Sequence, residues 1–118
     1  MSGALSYHAG AAAEEQVAAS YRADGFDLLE HRWRGKAGGE IDLILRKGDL
    51  VVFVEVKKSA SHLRAAEHLQ PRQIARLLAG AEGYARAMPD IATCAFRFDV
   101  ALVDSAGRIE RLENALSA

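Results

Sequence analysis

Two aliphatic runs, IDLIL from Ile41 and LVVFVEV from Leu50, dominate the middle of the chain, separated by a Gly48-Asp49 pair. A Gly-X dipeptide between such runs favours a two-residue type II′ hairpin turn. With that turn, Lys47 pairs with Leu50, and the register runs back to Asp42 opposite Glu55 and Glu40 opposite Lys57. Side chains alternate along a strand. One face then carries Ile41, Leu43, Leu45, Val52, Val54 and Val56. The other carries Ile44 and Phe53 near its middle and gathers Glu40, Asp42, Glu55 and Lys57 at one end. A Lys47-Gly48 turn keeps the same faces but slips the pairs by two residues.

The flanking segments follow other periods. Ser6 to Ala23 reads as a helix, with Ser6 as N-cap and Gly25 as the stop. Its inward stripe is Glu14, Val17, Ala18 and Tyr21, so a carboxylate shares the face that turns to the core. A strand around Phe26 to Arg34 leads into a glycine-rich link, Gly35 to Gly39. After Lys58 the pattern loosens through SASHLRAAEHLQ into a loop or weak helical turn. A second helix starts near Pro71, presents Ile74, Leu77, Leu78, Ala81, Ala85 and Met88, and ends at Pro89. From Thr93 to Val103 the chain alternates, with Cys94, Phe96, Phe98, Val100 and Leu102 on one side and Arg97 and Asp99 on the other. The tail, Arg108 to Ala118, has little pattern. The order α-β-β-β-α-β predicts an α/β domain around a mixed sheet, with three strands as a meander and a fourth added by a crossover helix.

Length and composition narrow the class. The 118 residues fit one domain, 1–118, with its core over about 6–104 and a short tail over 105–118. Half the residues are hydrophobic and 26% are charged, an ordinary globular balance. There is no apolar run of about 18 residues, hence no membrane span is expected. The N-terminus lacks the charged start and long apolar stretch of a signal peptide. Cys94, the single cysteine, has no internal disulfide partner and reads as a small buried hydrophobe. A soluble cytoplasmic protein is the expectation. The net charge of −1 argues against gripping nucleic acid through bulk positive charge, but leaves room for a local basic patch.

Carboxylates directly opposed across a hairpin repel, with Cβ atoms about 4.5–5.5 Å apart, and something must compensate. One reading is a solvated salt-bridge network of Glu40, Asp42, Glu55 and Lys57 on an open sheet face. The other is a divalent cation. Mg²⁺ is held by one or two carboxylates with waters and phosphates, and a lysine two residues from a ligand reaches the attacking water or the phosphate. Glu14, on the inward stripe, would add a ligand or orient one.

Other polar residues have two readings each. Arg32, Trp33, Arg34 and Lys36 form a basic, aromatic segment that could hold a phosphate backbone and stack a base; the plainer reading buries Trp33 and solvates the arginines. Arg72 and Arg76, one helical turn apart, could meet phosphates or lie on an ordinary exposed face. His8, His31, His62 and His68 lack zinc-ligand spacing and read as surface or loop residues. Asp99 could orient a site group, and a local pair with Arg97 is the simpler reading.

GGEID at Gly38 to Asp42 and VFVEVK at Val52 to Lys57 resemble the metal-binding core of the restriction-endonuclease-like, PD-(D/E)xK, superfamily. Glu14, Gly25-Phe26, Trp33-Arg34, Pro71-Arg72, Arg97 to Val100 and the closing Glu113 to Ala115 extend the likeness. The chain resembles the small bacterial YraN-like family of predicted endonucleases, similar in fold to Holliday junction resolvases. The resemblance implies a restriction-endonuclease-like core and Mg²⁺- or Mn²⁺-dependent hydrolysis of DNA, on branched or junction-like substrates. Asp42 would be the metal-binding aspartate, Glu55 and Lys57 the ExK pair, and Glu14 the helix-borne acid. The Val56 carbonyl would be a further metal ligand, and Glu40 would bind metal or pair with Lys57. Arg32, Arg34, Lys36, Lys58, Arg72, Gln73 and Arg76 are the DNA-binding candidates. Resolvase-like relatives work as dimers, which implies a homodimer. The sequence departs from the family at Lys58-Ser59, where Thr-Arg is usual, and at Ile74, where the usual Gln falls, with Gln73 beside it. A non-catalytic DNA-binding or adaptor protein that keeps the nuclease fold is the alternative.

Overall fold

The computed structural model describes residues 2–36, 38–58 and 71–115, and the side chains among them from residue 10 onward. Helix α1 (Ser2–Ala23) is followed by strands β1 (Asp27–Arg34), β2 (Glu40–Lys47) and β3 (Leu50–Lys58). Helix α2 (Pro71–Ala87), a 3₁₀ turn (Pro89–Ile91), β4 (Ala95–Val103) and β5 (Ile109–Leu112) complete the chain. The sheet order is β1-β2-β3-β4-β5, antiparallel except for the β3–β4 pair, which is parallel. This is the mixed α/β architecture expected from the alternation of periods, with α2 as the crossover.

The hairpin closes as its turn residues dictate. Gly48 takes φ +59° and Lys47 pairs with Leu50. The ladder runs to Leu43 opposite Val54 and ends there. Gly25 stops α1 at φ +92°, with Gly25 N donating to Arg22 O and Phe26 N to Tyr21 O, a Schellman closure. At its other end α1 begins at Ser2, ahead of the Ser6 cap expected from sequence, because no proline interrupts the segment and Ser6 is carried inside the helix.

The sheet separates two apolar layers. Toward α1, Val17, Ala18 and Tyr21 pack on Leu43, Leu45, Val52, Val54, Ala101 and Val103. Toward α2, Leu77, Ala81 and Tyr84 pack on Ile44, Val51, Phe53 and Ile41. Ile41 departs from the expected face. Beyond the end of the β2–β3 ladder, the start of β2 follows α2, where a Cβ on Gly80 would stand 2.8 Å from Ile41 Cγ1. The buried line of α2 is Leu77, Gly80, Ala81 and Tyr84. Leu78 lies outside that line and Met88 beyond the helix end, so both are exposed rather than core. Cys94 is half-buried against the α2 layer.

The tail is not patternless. Its β5 pairs with β4 from Val103–Ile109 to Val100–Leu112 and extends the sheet past the expected core. Residues 59–70, with His62, His68, Ser59 and Gln70, lie outside the described residues. No helix among the described residues is long and apolar enough to cross a membrane.

Candidate functional site

Where the β2–β3 ladder stops, the strands keep their side chains close but no longer pair backbones. Asp42 fills the gap, its Oδ2 accepting the Val56 N–H at 2.8 Å. Glu55 comes from the neighbouring strand to within hydrogen-bonding reach of the same Asp42 carboxyl. Two acids in contact in a half-buried setting cannot both ionise cheaply. Burial first, then the Asp42 hydrogen bond and charge, push the Glu55 carboxyl up to about 9, against the lowering pull of Lys57 and Arg76. Glu55 therefore keeps its proton at neutral pH.

Glu40, Asp42, Glu55, Lys57, Gln73 and Arg76 line one small cleft of about 110 Å³. Both strands of the hairpin and the first turns of α2 therefore meet at one polar spot. Arg76 pairs with Glu40 and so holds that acid on the α2 side of the cleft. Arg34 Nη2 stands 3.5 Å from the other Glu40 oxygen. Sequence reasoning left Glu40 between metal binding and Lys57; the structure pairs it with the two arginines.

The cleft's chemistry fits a hard divalent ion. Two carboxyl groups, Asp42 and Glu55, already converge, and the proton held on Glu55 marks a place where positive charge would relieve their repulsion. At about 30 Å³ per water, 110 Å³ leaves room for about three waters, and Mg²⁺ characteristically keeps several. Among the described residues, no cluster of three or more His, Cys, Asp or Glu forms a fuller ligand set. Two carboxylates, waters and a phosphate are thus the available shell. The Val56 peptide abuts Asp42 through its N–H.

Glu14 does not line this cleft. It is buried, and its Oε1 is held by Arg32 Nε at 2.8 Å and His31 Nε2 at 2.6 Å. Successive strand residues normally face opposite ways. Arg32 breaks that rule with a left-handed φ of 55°, which lets His31 and Arg32 both reach Glu14. His31 is therefore on the surface, as expected, but in a strand rather than a loop and with an acid partner. Of the DNA-binding candidates, Arg76 and Gln73 line the cleft, and Arg34 touches its rim through Glu40. Lys58 lines a separate polar hollow with Gln16 and Asp104. Arg72 is exposed on the first turn of α2. Lys36 and Arg34 border a further cleft beside Trp33, together with Arg86, which the sequence did not single out. Its signal was available: Arg86 follows Gly83 by three positions on α2 and so shares its face.

Asp99 is wholly buried and serves another purpose. It accepts from Tyr21 Oη at 2.6 Å, from Arg97 Nε and Nη2 at 2.9 Å each, and from Asn114 N at 3.0 Å. The Arg97 pairing is the one expected from sequence; the bonds from the tyrosine and the tail are additional.

A mixed five-stranded α/β domain, with a carboxylate pair and a lysine at the open end of its central hairpin, is the class these features define. The chain belongs to the uncharacterised protein family UPF0102, which its residues 13–103 match. It is 51% identical over 118 residues to a UPF0102 protein of Cereibacter sphaeroides strain KD131, covering the whole of both chains. A UPF0102 protein of Roseobacter denitrificans is 50% identical over 115 residues, 98% of this chain and 88% of the relative. One from Ruegeria pomeroyi is 51% identical over 113 residues, 96% and 91% respectively.

Proposed function

We propose that the protein is a metal-dependent endonuclease that hydrolyses DNA phosphodiester bonds, with branched DNA as its preferred substrate. The observation that carries this reading is the meeting of Asp42 with Glu55 in a cleft that also contains Lys57. Asp42 and Glu55 would hold Mg²⁺ or Mn²⁺. Such an ion, when bound, polarises a phosphoryl oxygen and lowers the pKa of a coordinated water.

The chain's own residues do the rest. The Val56 N–H fixes the Asp42 carboxylate, so one ligand is oriented in advance. Glu55 would have to give up its proton to hold a cation together with Asp42. Lys57 lies on the same wall and holds the attacking water or a phosphate oxygen. Gln73 and Arg76, from α2, face the scissile phosphate, and the exposed Arg76 can exchange its half-buried Glu40 partner for it. Two symmetric cuts in a four-way junction need two copies of the site, so the active form on that substrate would be a homodimer.

Cleavage of linear, flapped and four-way DNA with Mg²⁺ and with Mn²⁺ tests the proposal. Asp42→Asn and Lys57→Ala are expected to lower the metal-dependent rate by at least about 100-fold, the lower range for loss of a positioned proton-transfer group. Unchanged cleavage in both variants removes the assignment. Salt-sensitive DNA binding with no cleavage under either metal would indicate a DNA-binding protein that keeps the fold without the chemistry.

A further inference from the structure

Beside the acidic cleft lies a second, larger one of about 510 Å³, lined by Trp33, Arg34, Lys36, Gly83, Arg86 and Ala87. The two share a wall. Arg34 borders the larger cleft and pairs across the β1–β2 ladder with Glu40, which borders the smaller. Trp33 is half-buried: its indole meets the Tyr84 ring edge-on at 5.4 Å and packs on the α2 layer, while the rest of it lines the cleft. Glycines stand where side chains would crowd the benzo edge of the indole. A Cβ on Gly35 would lie 3.0 Å, and one on Gly83 3.3 Å, from Trp33 Cη2. Glycine inside a helix costs about 1 kcal/mol relative to alanine, so Gly83 is a concession to this ring.

Among the described residues, every charged side chain lining the cleft is a cation, and no carboxylate lines it. Arg34 and Arg86 have acid partners, Glu40 and Glu82, but both arginines are well exposed, and such pairs yield readily to a phosphate. A flat aromatic wall with cations around it matches a particular chemistry: a nucleotide whose base is free to stack and whose phosphates are free to pair. A base inside a duplex offers no face to an indole. We propose that this cleft binds an unpaired deoxynucleotide of the DNA strand, its base against Trp33 and its flanking phosphates on Arg34, Lys36 and Arg86. The inference depends on the nuclease reading only for its meaning beside the acidic cleft. There it would select substrates with unpaired nucleotides next to the cut, as flaps and junctions have.

Trp33 is the only tryptophan in the chain, so its emission reports on this cleft alone. The wild-type protein in EDTA, which blocks metal-dependent cleavage, is titrated with dye-labelled oligothymidylate of about ten nucleotides, within the usual single-strand site size. A blunt duplex of equal length and inorganic polyphosphate serve as controls, with binding followed independently by dye anisotropy or competition. The expected result is saturable quenching of Trp33 by the single strand, and none by polyphosphate or duplex. The Lys36→Ala, Arg86→Ala double variant should flatten the salt dependence of log K by about 1.4, at about 0.7 for each phosphate no longer neutralised. Single-strand binding that leaves Trp33 emission unchanged, equal quenching by the duplex, or no single-strand binding at low salt each overturns the subsite. Cleavage is scored separately on the same DNAs with metal. Cleavage without quenching leaves the nuclease and removes the subsite; quenching without cleavage does the reverse.

Discussion

At Glu55 a half-buried carboxyl faces Asp42 across two strands that have just stopped pairing, and its proton affinity rises to about 9. Burial comes first among the causes and the Asp42 hydrogen bond second. In the unfolded chain a glutamate titrates near 4.3. Between those values the folded protein holds a proton that the unfolded chain has released, so stability falls as pH rises through that window. The loss is complete only above about 9. Glu55→Gln is neutral at every pH and removes this slope: its melting temperature should change less than that of wild type between pH 5 and pH 9. Parallel wild-type and variant curves would contradict the assignment. The same proton must leave before a cation can use both acids. Mn²⁺ affinity should therefore rise from pH 6 to pH 8, with an apparent enthalpy that depends on the ionisation heat of the buffer.

Between α2 and β2, two glycines decide how close the helix carrying Gln73 and Arg76 comes to the acids. Gly39 has φ +87°, and a Cβ there would fall 2.4 Å from Gly80 N, inside the helix backbone. Gly39→Ala adds backbone strain to this clash. It should cost at least about 1–3 kcal/mol, as overpacking does, read as a lower urea midpoint. An unchanged midpoint would show that the helix is not seated there. The sequence revealed the hairpin because a glycine turn separates two aliphatic runs, and of the two turns it allowed, the Gly48-Asp49 one forms. It revealed the acidic cleft because period two gathers Glu40, Asp42, Glu55 and Lys57 at one end of one face. It did not reveal the Glu14 pairing, since the left-handed φ of Arg32 breaks the alternation on which such reading rests. Nor did it reveal β5, whose four residues are too few for a periodic signal and whose anchor is a distant aspartate.

Across the whole molecule that anchor joins parts far apart in sequence. Asp99 on β4 receives Tyr21 from α1 and the Asn114 amide from the tail, where Asn114 takes the left-handed φ of 56° that asparagine tolerates. Ala115 N then donates to Phe98 O at 2.8 Å, closing the tail onto β4. The Glu113 to Ala115 motif, read from sequence only as part of a resemblance, is this latch. Burial and the bond to Asp99 raise the Tyr21 phenol far above its ordinary range, so it remains a donor throughout. Asp99→Ala leaves Arg97 and Tyr21 without their shared acceptor and should cost about 3–5 kcal/mol in denaturant unfolding, with no direct effect on the acidic cleft. A loss below about 1 kcal/mol would mean that the latch contributes little. The sheet thus has one end closed by the tail and another, at Asp42 and Glu55, left open and polar. Whether that open end is a metal site is settled most directly by isothermal titration of Mn²⁺ into the protein with a non-cleavable DNA present, beside the Asp42→Asn, Glu55→Gln double variant. Saturable binding in wild type that vanishes in the variant is the predicted result; equal heats in both, or none in either, would contradict it.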